Sequence, residues 1–319
     1  TLILTQSTSE ISRFCNLNDQ SWITAVIPLS KTPADAEPLT GFRRFFHESV
    51  LTLKLGIPVV IAQILLISMQ FVDTVMAGHV SAKDLAALGI ATALFHPLLL
   101  LMVGVLMAVT PMVAQLKGSQ KDDRISKVVA DALQLSLVFA LPLILLLHLL
   151  EPLMEFIGYP EEVSRIGDGY LQAVAWGVPA MLAYDVFRHF NEGVALTRPN
   201  MYFHIVGLML NILGNYTLMF GHFGFPAMGA VGAGWSTALV WNMMFLMMIL
   251  FSFKNSRLRK YLKLGDFFRI HLLNTREILR IGVPNGLSTG AETGLFALVA
   301  LMMGTLGVHV MAAHQIAIN

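Results

Sequence analysis

The run at 55–77, LGIPVVIAQILLISMQFVDTVMA, constrains this chain more than any other stretch. Its 23 residues carry one formal charge, Asp73, and at about 1.5 Å rise per residue they cross the roughly 30 Å of bilayer hydrocarbon. A transmembrane helix is the structure that this length and apolarity require. At about 100° per residue, Gln63, Gln70 and Thr74 fall on one stripe with Asp73 on its flank. A carboxylate there is costly in hydrocarbon, so it faces a bundle interior or a watery cavity. The alternative is an aspartate near the helix end that snorkels into the headgroups.

The rest of the chain has the same character. It is 55% hydrophobic and 13% charged, with a mean hydropathy of +0.68, against about 25% charged in soluble domains. This is an integral membrane protein, and its net charge of +1 gives no electrostatic basis for nucleic-acid binding. One cysteine, Cys15, permits no internal disulfide framework. The first residue is Thr1 and the next methionine is Met69, which suggests a fragment or an upstream extension. Residues 1–45 are polar, with Pro33 and Pro38, and lack the order of a signal peptide. They are expected to form a poorly ordered cytoplasmic tail.

Further apolar runs lie at 85–116, 128–150, 170–195, 201–220, 231–253 and 281–306, giving seven expected spans with breakers such as Gly158, Pro160, Pro199 and Gly229 between them. Sixteen Lys and Arg fall before span one or after spans two, four and six, against two, Lys83 and Arg165, after spans one, three and five. The positive-inside rule then places the N-terminus in the cytoplasm.

An internal repeat recurs at an offset of 226 residues: Leu55-Gly-Ile-Pro58 returns as Ile281-Gly-Val-Pro284, and Met76, Gly78 and Ala86 match Met302, Gly304 and Ala312. With six spans between the copies the repeat is parallel, an arrangement found in many secondary transporters. The fold expected is an all-α polytopic membrane protein: a polar tail (1–45), a six-helix N-lobe (46–253), a basic cytoplasmic linker (254–280) and the truncated start of a second lobe (281–319).

Several residues are candidates for chemistry. In span seven, Asn285, Ser288, Thr289 and Glu292 share one face, and Gly282, Gly286, Gly290 and Gly294 form a packing ridge beside it. Glu292 lies near mid-span, where a carboxylate reads as a cation or proton site; the alternative is a permanently protonated, hydrogen-bonded glutamate. Gly286-Leu-Ser288-Thr-Gly290 matches the G-x-S-x-G pattern, but without the strand that a nucleophile elbow needs. An intramembrane serine protease using Ser288 and His314 is therefore a distant alternative. Asn211 and Asn215, four apart, share a helix face and are natural partners for Asp73, or else interhelical amide contacts without transport chemistry. Asp185, Arg188 and Glu192 read as a structural ion network, and His148, His189 and His204 carry no metal-ligand pattern. Pro58 and Pro284 sit in the first turns of their expected helices and bend or start them.

Together, Phe71-Val-Asp73-Thr-Val-Met-Ala-Gly78, Ser81-Ala-Lys-Asp84, Gly104-Val-Leu-Met-Ala108, Leu210-Asn211-Ile-Leu-Gly-Asn215 and Ala312-Ala-His-Gln315 resemble the multidrug and toxic compound extrusion (MATE) transporters, specifically their NorM-type bacterial branch. The likeness runs from about residue 45 to the end. It implies twelve helices in two lobes of a monomeric plasma-membrane protein (the bacterial inner membrane), exporting organic cations and drugs in exchange for Na⁺ or H⁺ without a further cofactor. By position, Asp73 with Asn211 and Asn215 looks like the N-lobe cation or proton site, supported by Gln70 and Thr74. Glu292 looks like the cation-site glutamate, with Na⁺ as its candidate metal, and Pro58 like the proline where the first helix bends. A lipid-linked sugar flippase of related architecture is the second transporter reading; it favours a basic cleft, whereas these spans supply mostly carboxylates and amides.

Overall fold

The computed structural model describes residues 42–269 and 272–318, so the expected tail and Cys15 lie almost wholly outside the described residues. All the elements are helical: α1 (Phe42–Val80), α2 (Ala82–Leu106), α3 (Val109–Gly118), α4 (Asp122–Leu147), α5 (Leu150–Ile157), α6 (Glu161–Ala175), α7 (Val178–Gly193), α8 (Arg198–Leu218), α9 (Ala230–Lys254), α10 (Ser256–Arg259), a 3-10 turn (Leu264–Phe268), α11 (Leu272–Thr305) and α12 (Val308–Ile318). Among the described residues, five helical stretches are long and apolar enough to cross a membrane: Glu48–Val80, Ala82–Gly118, Asp122–Leu147, Ala230–Lys254 and Asn274–Thr305.

The expected spans at 170–195 and 201–220 are helical but do not stand out by apolarity. The first is the α6–α7 pair, helices of 15 and 16 residues. It begins at Glu161, ahead of the expected start, and although its first turns are polar, Val163, Ser164 and Gly167 there are buried in the bundle. The second, α8, carries Asn200, His204, Asn211 and Asn215, all buried. Its polarity serves the bundle interior, where backbone and side chains must find partners without water.

Proline accounts for both internal breaks. Pro111 and Pro179 have no N–H to offer the carbonyls of Met107 and Ala175 four residues earlier, and the chain turns at 107–108 and 176–177. Pro58 and Pro284 behave differently from expectation. α1 runs for 16 residues before Pro58 and α11 for 12 before Pro284, so neither proline starts its helix. The apolar runs marked only the lipid-facing length, whereas the helices extend back through Phe42 and Leu272.

Two contacts hold the frame. At the first, Ser81 caps α2 by accepting from Asp84 N (3.0 Å), and Asp84 Oδ1 in turn accepts from Ala230 N (2.7 Å), the first N–H of α9. One carboxylate thus satisfies an otherwise orphaned helix-start donor across 146 residues of sequence. Gly229, at φ +57 beside that carboxylate, is where a Cβ would collide with Asp84 Oδ1. At the second, α11 lies along α2 on its glycine ridge: a Cβ on Gly286 would meet Leu101 O at 2.5 Å, and one on Gly104 would meet Gly286 Cα at 2.7 Å. Asn285 locks the seam by donating to Gly104 O at 2.8 Å.

Asp84→Ala is expected to cost about 1 kcal/mol and to lower the unfolding temperature of the intact protein in detergent; an unchanged value contradicts the cap assignment. Gly286→Leu is expected to cost about 1–3 kcal/mol by overpacking, whereas Gly294→Leu, at a position with nothing within 4 Å of its Cβ site, leaves the unfolding temperature unchanged. Equal shifts for the two variants contradict the seam.

Candidate functional site

One side of α1 is exposed through Ile57, Val60, Ile64, Ile67, Phe71 and Val75, as a lipid-facing surface should be. Its other side is buried and holds Asp73 and Thr74. The polar stripe read from the sequence is only partly internal: Gln63 is exposed, and Gln70 is exposed on the rim of an inner cavity. The snorkelling alternative for Asp73 is excluded by its burial at 8% exposure.

α8 packs against α1 and brings Asn211 and Asn215, both fully buried, onto the carboxylate. Asn211 Nδ2 donates to Asp73 Oδ1 at 2.9 Å and Asn215 Nδ2 donates to the same oxygen at 2.6 Å. Thr237 of α9 donates to Oδ2 at 3.4 Å. Three helices therefore meet at one carboxylate, with donors matched to an ionised form. Both amide oxygens, Asn211 Oδ1 and Asn215 Oδ1, are buried without a hydrogen-bond partner. Buried acceptors of this kind are normally satisfied, so the group is short of positive charge or of donors. Thr74 donates its hydroxyl to Gln70 O at 3.0 Å along its own helix.

A cavity of about 280 Å³ opens beside Asp73, lined also by Gln70, Thr74, Thr92, His96, Tyr170, Thr237, Trp241 and Phe296. Gln70 Nε2 and His96 Nε2 approach to 3.5 Å on its wall. Among the described residues, its lining contains no Lys or Arg. Carboxylate, amide, hydroxyl and aromatic faces together suit a cation: the carboxylate for charge, the rings for its flat or alkyl parts. Thr237, Tyr170, His96 and Trp241 were not singled out in the sequence. The four-residue spacing of Thr237 and Trp241 in an apolar helix is the signal that was available.

The other candidates lie elsewhere. Glu292 is on the exposed side of α11, although Thr293 and Phe296 of the same helix line the cavity, so the structure does not bring the two carboxylates together. Ser288 is exposed in mid-helix, and no strand–turn–helix elbow surrounds it. Asp185 and Arg188 pair at 2.8 Å, and His189 approaches Glu192 at 3.4 Å and Thr110 Oγ1 at 3.0 Å, tying α7 to α3. Tyr184 hydrogen-bonds Asn200, and His204 Nδ1 bonds Asn200 O at 2.9 Å, tying α7 to α8. Among the described residues, no group of three or more His, Cys, Asp or Glu is placed to hold a metal ion.

Comparison with known proteins gives one family. The chain is 40% identical over 273 residues to a multidrug resistance protein NorM of Photobacterium profundum, covering 86% of this chain and 60% of that protein. It is 39% identical over 276 residues to a NorM of Aliivibrio fischeri, with the same coverage. The chain thus spans about 60% of the length of these curated relatives. A crystal structure of the eukaryotic MATE transporter AtDTX14 superposes with a TM-score of 0.73 at 17% identity, over 82% of this chain and 57% of that one, which shows the shared fold. With residues 58–217 matching the MatE family and the Asp73 motif inside that stretch, the chain belongs to the MatE family.

Proposed function

We propose that the intact protein is a secondary antiporter that exports organic cations and drugs across the bacterial plasma membrane in exchange for Na⁺ or H⁺. It acts as a monomer with its N-terminus in the cytoplasm. The observation that carries this reading is Asp73: a carboxylate buried among spanning helices, held by two amides and a hydroxyl, and facing a cavity with aromatic walls. The NorM relatives are named multidrug resistance proteins, which supports drug export as the activity.

The chemistry follows from charge neutralisation. An ionised Asp73 leaves one negative charge inside the bundle, which is unfavourable unless a cation, a proton or strong donors compensate. A half-turn of both amide side chains directs their unpartnered oxygens to the carboxylate, and these two oxygens with Asp73 and Thr237 then form a hard-oxygen set suited to Na⁺. The same turn lets a protonated Asp73 donate to an amide oxygen. A cationic drug in the cavity supplies the compensating charge in a third way. Drug and coupling ion compete for one carboxylate, so each leaves as the other enters, and exchange is obligatory. Glu292 provides a second carboxylate on α11 for the coupling ion.

The flippase reading finds less support at the cavity, because a lipid phosphate calls for cationic donors and the lining among the described residues has no Lys or Arg.

Efflux of an organic cation from cells, read as uptake into everted vesicles under an imposed Na⁺ or H⁺ gradient, tests the reading. Wild type is expected to respond to one gradient, and Asp73→Asn to abolish gradient-driven transport; unchanged transport in Asp73→Asn overturns the site. Asn215→Ala removes one charge-assisted hydrogen bond worth about 1.5–3 kcal/mol. It is expected to shift the half-saturating coupling-ion concentration about tenfold or more. A shift under twofold contradicts the amide's role.

A further inference from the structure

Residues 255–269, between α9 and α11, form a fixed strap with two different faces. Asn255 caps α10 by accepting from Arg257 N at 2.9 Å, and the strap's inner side chains, Leu258, Tyr261 and Leu262, are buried. Lys263 N donates to Ser126 Oγ at 2.8 Å, and Gln134 Nε2 donates to Phe267 O at 2.9 Å and to Arg269 O at 3.2 Å, pinning the strap along α4. Lys263 Nζ donates to Asp123 at 2.6 Å, and that carboxylate holds the ammonium above its ordinary pKa.

What the pinned strap leaves outside is unusual. Leu264 is 66% exposed and Phe268 88% exposed, and Arg257, Arg259, Lys260 and Arg269 are exposed around them. Over 254–269 there are six Lys and Arg and one acidic residue, Asp266. Lys263 is taken by Asp123, so the outer face keeps Arg257, Arg259, Lys260 and Arg269 in reach of a partner. The strap joins the end of one membrane-crossing helix to the start of another, which sets it at the level of the headgroups. Large apolar side chains interleaved with guanidinium and ammonium groups at that level match one environment: acyl boundary for the rings and chains, phosphate for the cations.

We propose that this outer face is a docking surface for anionic phospholipid, with Leu264 and Phe268 inserted at the acyl boundary and Arg257, Arg259, Lys260 and Arg269 paired with headgroup phosphates. Anionic lipid is the occupant that charge complementarity selects over zwitterionic lipid, since each basic residue near such a surface adds attraction to negative lipid. The consequence for the protein is a fixed anchor between its first six helical spans and α11.

The test uses the intact protein purified from an equimolar phosphatidylglycerol and phosphatidylcholine mixture, with retained lipid measured by mass spectrometry. Wild type is expected to retain phosphatidylglycerol about tenfold over phosphatidylcholine, and the R257Q/R259Q/K260Q/R269Q variant to fall to near parity at an unchanged unfolding temperature. Equal retention in wild type, or a full preference in the variant, overturns the proposal. A nitroxide at Phe268→Cys in nanodiscs keeps the question open to decision if the fourfold variant does not fold. Collisions with membrane-dissolved oxygen are expected to exceed those with a water-soluble nickel complex in phosphatidylglycerol discs, and to decline in phosphatidylcholine discs. A label reached mainly by nickel in both, or by neither reagent because protein covers it, overturns the proposal. The discs carry the same lipid on both faces, so the result does not depend on which side of the membrane the strap occupies or on whether the protein transports.

Discussion

A negative charge inside a membrane bundle has to be surrounded by groups that tolerate it, and that requirement at Asp73 sets the arrangement of α1, α8 and α9. Asn211 and Asn215 reach the carboxylate from one helix face, and Thr237 reaches it from the next helix. Removing either amide leaves Oδ1 with one donor in place of two, and removing Thr237 takes away its donor to Oδ2, so each loss weakens the compensation of a buried charge. The same requirement explains why α8 is polar for a helix in this environment. Its lipid-facing side, Met209, Ile212, Leu213 and Tyr216, is exposed and apolar, while Gly207, Asn211 and Asn215 are buried.

Around that centre the helices are joined by contacts that do not share its chemistry. Asp84 links the starts of α2 and α9 through a helix cap. Glycines link α2 to α11 by close backbone approach, which in a bilayer replaces the hydrophobic drive available in water. Tyr159 donates to Leu301 O at 2.7 Å, giving α11 a second tie. Asp73 therefore sits where helices from the first repeat meet, with α11 completing one wall of the cavity through Thr293, Phe296, Ala297 and Ala300.

Much of this was legible in the residues. Uninterrupted apolar length gave five of the seven expected spans, and the four-residue spacing of Asn211 and Asn215 gave a face that had to be satisfied inside the protein. The motif around Asp73 gave the family. Helix ends were less legible, because Phe42 to Lys54 and Leu272 to Arg280 are too polar to register as membrane segments and yet continue the helices. The opening turns of α6 were hidden for the same reason. Helical phase groups Asn285, Ser288, Thr289 and Glu292, but it does not say which side of span seven meets α2; Gly282, Gly286 and Gly290 fitting against Leu101 and Val105 decide that, and Glu292 lies on the exposed side. The cavity's aromatic walls come from four helices far apart in sequence, and no local pattern announces such a convergence.

The central claim is that drug and coupling ion compensate the same buried carboxylate. It is tested most directly by titrating an organic cation into the purified intact protein across a series of pH values and Na⁺ concentrations, and reading its Kd. The account predicts that affinity in wild type weakens as the coupling ion rises, and that Asp73→Asn flattens this dependence. A dependence in Asp73→Asn as steep as in wild type would contradict it.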